Sequence, residues 1–177
     1  MNTTWKTIIW QQFGAAIDML ENALLACPEK LWSDPARFDR VLHGQQLEFW
    51  YIVYHTLFFL DLFLSGSAEG FAPPAPFGLE ELDPAGVLPE RVYTKEELLA
   101  YLEHGRNKCR AAIGALTDEN AHQHCGFDRP DVTVAELLLY TMRHVQHHAA
   151  QLNLMLRQSI DSAPRWVAKT KSKLSGE

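Results

Sequence analysis

The chain has 177 residues, of which 47% are apolar, and a formal net charge of −6 at pH 7. This length and composition predict one domain over residues 1–177, with a sizeable apolar core. The acidic balance argues against a nucleic-acid partner, because nucleic-acid-binding proteins usually carry a basic surface. Three cysteines that lie far apart, with no C-x-x-C pair, favour a reduced cytoplasmic protein over a disulfide-bonded one.

The first predicted helix runs from about Thr3 to Cys27, and Pro28 ends it. Its apolar side chains recur at spacings of three and four residues, which is typical of one helix face: Trp10, Phe13, Ile17, Leu20 and Leu24. A second helix is predicted from about Gln45 to Leu64, and it is apolar nearly all round, as expected of a helix surrounded by others. Its apolar run is interrupted by His55 and Asp61 and is shorter than the ~20 residues that span a bilayer, so we expect no membrane contact.

The second half of the chain begins with a long connection. Residues 65–93 are rich in glycine and proline and show no sustained period, which predicts a loop. Two capping boxes follow, and each predicts a helix start. The third helix begins at Thr94 and reaches about residue 117, and the fourth begins at Thr133 and reaches about Gln158. The tail, residues 159–177, is predicted to be a solvated strap anchored by Trp166, or else to reach a partner subunit.

Four helices of roughly 20 to 25 residues and no convincing strand predict an all-α fold, a four-helix bundle. The longest connection joins the second and third helices. Consecutive helices can run parallel only if their link recrosses a helix length of about 30 Å, and the 65–93 loop is long enough to do so. We therefore predict an up-down-down-up topology with a long helix 2–helix 3 crossover.

Three of the eight histidines lie close together in the segment RHVQHHAAQL. His144 and His148 are four residues apart, so a helix places them on one face, whereas His147 is rotated away from that face. Two imidazoles alone make a weak metal site. A pair of this kind is also common on a solvated helix face, and the spacing by itself does not decide between the two interpretations.

His55 is the best candidate for a third ligand. It lies in the middle of the most apolar helix, where an unpaired polar ring costs roughly 1–3 kcal/mol. Hydrogen bonding to a carbonyl or carboxylate is the ordinary alternative for such a residue. Glu48, Tyr51 and Gln151 are weaker candidates for contacts to the ligands or to a substrate. The remaining histidines are predicted to be solvated: His43, His104, His122 and His124.

The chain resembles the DinB/YfiT-like superfamily over nearly its whole length. The stretch YIVYHTLFFLDLFLSG is similar to the family's second helix, whose single ligand histidine corresponds to His55. The stretch TVAELLLYTMRHVQHHAAQLNLMLRQ is similar to its fourth helix, whose two ligands correspond to His144 and His148. The resemblance implies a homodimeric bundle with a divalent ion, commonly zinc or nickel, held by three histidines. It also implies that some relatives are transferases or isomerases that use a low-molecular-weight thiol.

These observations predict a divalent-metal-binding protein that acts on a small molecule. Three neutral imidazoles leave an ion at least one open position, which is typical of catalytic sites. Such an ion, with iron as a third possibility, could bind a thiol as thiolate or lower the pKa of a water. We expect the open side to face the 65–93 loop, where Phe71 and Phe77 could shape a pocket. The alternative is a non-catalytic bundle in which the metal is structural or binds a ligand.

Overall fold

The computed structural model describes residues 2–34, 41–42, 45–46 and 48–174. In this part of the chain the α-helices are α1 (Thr3–Ala26), α2 (Glu29–Trp32), α3 (Phe49–Leu64), α4 (Lys95–Ala115), α5 (Asp118–Ala121) and α6 (Val134–Ile160). A 3-10 helix, Glu80–Leu82, lies within the long connection between α3 and α4. Two short strands, β1 (Val41–Leu42) and β2 (Gln45–Gln46), pair antiparallel. No helix among these residues combines the length and the apolarity needed to cross a membrane.

The second long helix begins later than the sequence predicts. The predicted start at Gln45 is wrong, because Gln45 belongs to β2 and α3 begins at Phe49. Glu48 precedes the helix in an extended conformation. The helix therefore coincides with the apolar run, and Gln45 and Gln46 before it belong to a short strand that the sequence did not predict. His43 lies outside the described residues.

The four long helices pack as a bundle in which α1 and α3 each contact α4 and α6. Lys6, near the start of α1, donates to the carbonyl of Gly114 near the end of α4, so these two helices are antiparallel. Phe63, at the end of α3, packs against Tyr140 in the first half of α6, with ring centroids 5.3 Å apart. The α3–α6 pair is therefore antiparallel as well.

The long connection returns the chain along the bundle. Trp50, at the start of α3, lies 5.8 Å from the ring of Tyr93, which directly precedes α4. Helices α3 and α4 therefore run parallel, and the 65–93 segment recrosses the length of α3 between them. Together with the two antiparallel pairs, this gives the up-down-down-up order expected from the length of the crossover.

Both predicted capping boxes are confirmed. The hydroxyl of Thr94 accepts from the backbone N–H of Glu97, and the Glu97 carboxylate accepts from the N–H of Thr94. Thr133 and Glu136 make the same reciprocal pair at the start of α6. Each box satisfies two amide groups that a helix start leaves without intrahelical partners.

Among the described residues, Asp61 is a carboxylate buried in the bundle core, with 1% exposure. Its oxygens accept from the Tyr101 hydroxyl at 3.1 Å and from the Lys108 ammonium group, and they lie 3.3 Å from Nε2 of His104. His104 is exposed, as predicted, and its ring is one of the partners that the buried Asp61 carboxylate requires. His122 and His124 are exposed, as predicted.

The tail packs along α1, but Trp166 does not anchor it. Trp166 is 71% exposed, whereas Thr170 is 5% exposed. The backbone N–H of Thr170 donates to the carbonyl of Gln11, and the Trp10 indole donates to the carbonyl of Ser172. The tail is anchored further along, by these backbone hydrogen bonds and by the buried side chains of Thr170 and Leu174.

Candidate metal centre

The structure brings the three predicted ligand histidines together. Helix α3 contributes His55, and α6 contributes His144 and His148 from successive turns. One nitrogen from each ring lies within 4.8 Å of the other two. Nε2 of His144 and Nε2 of His148 are 3.1 Å apart. Two nitrogens bound to one zinc ion in tetrahedral geometry are about 3.3 Å apart, so this spacing suits a shared ion.

Hydrogen bonds on the far side of two rings hold them in place. Nδ1 of His55 lies 2.9 Å from Oε2 of Glu81, and Nδ1 of His148 lies 2.8 Å from Oε1 of Gln151. Because an oxygen of each partner accepts, both Nδ1 atoms carry the proton and both Nε2 atoms keep a free lone pair. This tautomer is the one in which Nε2 can bind a metal ion.

Burial keeps the two α6 histidines neutral. Burial and, to a smaller extent, the neighbouring rings of His148 and His55 lower the pKa of His144 to about 3. Burial also lowers the pKa of His148 to about 4, with His55 adding to the effect and the hydrogen bond to Gln151 opposing it. Only the neutral imidazole has a lone pair to give, so both rings are in the metal-binding form at neutral pH.

Aromatic side chains of α3 form an apolar wall beside the cluster. The ring of Phe59 lies 4.8 Å from that of His55 and 5.7 Å from that of His144. Phe63 packs edge-on against His144 at 6.2 Å. These contacts restrict water on the side of the cluster that faces α3, and they explain how His55 is accommodated in an apolar helix. The side chain of His55 keeps 18% exposure.

The three weaker candidates for contacts to the ligands or to a substrate lie at different distances from the cluster. Gln151 contacts the cluster through His148, and its amide nitrogen lies 3.0 Å from Nε2 of the exposed His147. Tyr51 lies beside Glu81; burial raises the pKa of its hydroxyl, and the Glu81 carboxylate raises it further. Glu48 instead accepts from the indole of Trp50 at 2.5 Å and makes no described contact with the three histidines.

Glu81 contacts His55 of the cluster, and the sequence did not predict this contact. It belongs to the 3-10 helix of the long connection, and its side chain is 6% exposed. The connection therefore reaches the cluster, as expected, but through this acidic residue. The predicted role of Phe71 and Phe77 is wrong: Phe77 stacks on Tyr101 in the core with centroids 4.3 Å apart, and Phe71 packs against Phe58.

A helical bundle with three converging imidazoles on two facing helices defines a class of protein suited to holding one divalent ion. The chain belongs to the DinB superfamily, whose sequence model matches residues 12–152. The matched range contains all three histidines, and it confirms the resemblance noted from the sequence. No curated protein and no solved structure gives a significant match to the chain.

Proposed function

We propose that this protein is a metal-dependent enzyme that acts on a small molecule, with His55, His144 and His148 as the ligands of one divalent ion. Imidazole ligands suit zinc, nickel and iron, and the family resemblance favours zinc or nickel among them. A low-molecular-weight thiol is the co-substrate that the family resemblance suggests. The observation that supports the proposal is the convergence of three imidazole rings, two of which are fixed in the metal-binding tautomer.

The chain's own residues perform the binding and orienting parts of this function. Glu81 and Gln151 fix the planes of His55 and His148, and Phe59 and Phe63 restrict water on one side. A bound divalent ion would supply Lewis acidity at a coordination position that three histidines leave open. No carboxylate joins the three rings as a fourth close ligand among the described residues. A structural zinc site, by contrast, has four protein ligands.

The alternative is a non-catalytic bundle in which the ion only links α3 to α6. The partial exposure of His55 and the three-ligand set favour the enzyme. The homodimer and the cytoplasmic location stay predictions.

Cobalt titration of the metal-free protein tests the site and its open position together. Ligand-field bands should saturate at one ion per chain. His55→Ala, His144→Ala and His148→Ala should each abolish saturable binding, since two imidazoles alone hold the ion weakly. His147→Ala is the matched control and should bind normally, because His147 is exposed and its ring lies outside the cluster.

The same cobalt-loaded protein then receives small thiols, including bacillithiol, mycothiol, glutathione and coenzyme A. At least one thiol should produce a sulfur-to-cobalt charge-transfer band, because thiolate binds borderline metals well. That thiol should also react faster with a generic electrophile in the presence of the protein than alone. Loss of the ion in His147→Ala but not in His148→Ala would contradict the ligand assignment. A spectrum that no thiol changes would contradict the thiol-dependent activity.

A further inference from the structure

A cleft lies between α1, α6 and the tail, with a volume of about 730 Å³. Small-molecule sites usually have volumes of about 300–1,000 Å³, so the cleft is large enough for a compact metabolite. Its walls include Ala15 and Ala16 of α1, Arg143 and His144 of α6, and Trp166 of the tail. The small alanine side chains leave the space open where α1 borders the cleft.

The charge of the cleft is opposite to that of the whole protein. The chain carries a net charge of −6, yet none of the described side chains that line the cleft is acidic, and Arg143 is a permanent cation. Within the described residues, no carboxylate lies within ion-pair distance of Arg143 and no acceptor bonds to its guanidinium group. An arginine fork without a partner suits a planar anion such as a carboxylate, which it can bind through two hydrogen bonds.

The cleft also offers an apolar surface. Trp166 is 71% exposed, although the tail directly after it is held against α1, where Gln12 donates to the carbonyl of Ala168 and Thr170 donates to that of Gln11. A large indole left in water beside a cleft gains free energy when the flat apolar body of a ligand covers it. The cleft therefore has one cationic and one aromatic recognition element.

The cleft and the histidine cluster share a residue. His144 lines the cleft, and its Nε2 lies 3.1 Å from Nε2 of His148 in the cluster. His147, which contacts Gln151, lines the cleft as well. A molecule held in the cleft therefore lies against the α6 side of the candidate metal centre.

We propose that this cleft binds a small organic acid, whose carboxylate pairs with Arg143 and whose apolar body covers Trp166, and that it is the substrate site of the histidine cluster. The assignment to the cluster rests on the proposed function. The selectivity of the cleft for an organic anion does not rest on the proposed function, because it depends only on the residues that line the cleft.

The test uses ¹⁹F NMR with 4-(trifluoromethyl)benzoate as the probe and its neutral amide as the matched ligand. The full chain should bind the acid saturably, and it should bind the amide at least about tenfold more weakly, since the amide lacks the charge-assisted pair. Arg143→Gln should weaken acid binding by about tenfold and remove the preference for the acid. Trp166→Ala should weaken the binding of both the acid and the amide. Arg157→Gln, which removes an exposed arginine of the same helix outside the cleft, should change neither.

Acid binding that is unchanged in Arg143→Gln, or an amide that binds as well as the acid, would overturn the proposed anion site. These measurements are made on the metal-free protein, so they stand even if the chain holds no ion.

The link to the cluster is tested separately by comparing nickel-loaded with zinc-loaded protein. Nickel should strongly increase the ¹⁹F relaxation rate of the bound acid. If the protein holds nickel and binds the acid through Arg143 but shows no such increase, only the assignment of the cleft to the histidine cluster is overturned.

Discussion

Glu81 lies at the outer edge of the candidate metal centre and connects it to the crossover. Its carboxylate is 6% exposed, and Oε2 lies 2.9 Å from Nδ1 of His55. The other oxygen, Oε1, is buried and has no hydrogen-bond partner among the described residues. Burying a carboxylate costs free energy unless partners compensate it, and the structure provides the N–H of His55, with the hydroxyl of Tyr51 also close to the carboxylate. Glu81 is therefore a positioning residue for His55.

Glu81→Ala should weaken divalent-ion binding by about 10- to 100-fold, the usual effect of removing a partner that orients a ligand histidine. Glu81→Gln should lose less ion affinity than Glu81→Ala, because its amide oxygen can still accept from Nδ1 of His55. Competition with a chromogenic chelator measures both affinities. Glu48→Ala is the matched control: it removes a glutamate at the start of α3 that contacts Trp50 instead, and its ion affinity should equal that of the wild type. Equal affinities for Glu81→Ala and the wild type would contradict the positioning role.

The sequence predicts the histidines and misses Glu81 for a physical reason. The spacing of His144 and His148 fixes their common face once the segment is helical, and the apolar surroundings of His55 require a partner for it. Glu81 lies in a segment without periodicity, so nothing local determines which side chain of that segment reaches the cluster. Glu48 is seven residues before His55 and shares its helical face in principle, but the helix begins only after it.

At the scale of elements, helix starts are predictable where a side chain caps the backbone. Thr94 and Thr133 are such positions, and both capping boxes form. The start of α3 has no side-chain cap, so the sequence contains no comparable signal for it. The start of α4 is reinforced by Arg91, which donates to both carboxylate oxygens of Glu97.

This arrangement predicts a pH-dependent contribution to stability. The Arg91 guanidinium and the backbone N–H of Thr94 lower the pKa of Glu97 to about 2. The unfolded chain therefore binds more protons at this position than the folded chain between about pH 2 and pH 4.5. The stabilisation is fully present above about pH 4.5 and is lost as the pH falls towards 2. Because the pair is largely exposed, solvent screens it and its contribution to the free energy of unfolding is small.

Glu97→Gln keeps a capping side chain but removes the charge. The difference in free energy of unfolding between the wild type and this variant should be largest at neutral pH and should shrink steadily below about pH 4.5. Urea unfolding of the metal-free proteins, repeated at several pH values, measures it. Glu96→Gln removes a carboxylate from the same turn and should show no such trend, because no described side chain pairs with Glu96. A difference that grows on acidification would contradict the assigned pKa direction.

At the scale of the whole molecule, the crossover length predicts the order of the helices, whereas the course of the tail is not predictable. The tail binds α1 largely through its own backbone, with the carbonyl of Ser172 accepting from Trp10 and the N–H of Thr170 donating to Gln11. Gly14 makes room for Thr170, since a Cβ atom at that position would lie 2.6 Å from the threonine methyl group. Backbone groups are the same at every position, so such contacts leave no pattern in the sequence.

The candidate metal centre joins α3 and α6, and this placement predicts the effect of removing the ion. The two helices already pack through a continuous apolar core that includes Phe49, Leu57 and Leu152, each almost fully buried. An ion that binds the folded chain at a concentration about 100-fold above its dissociation constant adds about 2.7 kcal/mol to the free energy of unfolding.

A chelator should therefore lower the melting temperature by roughly 5–10 °C and leave the far-ultraviolet circular dichroism at 25 °C unchanged. His55→Ala should melt at the same temperature with and without chelator. If the metal instead holds the fold together, as in proteins that are unfolded without zinc, the chelator would abolish the helical signal at 25 °C and the enzyme proposal would yield to the structural alternative.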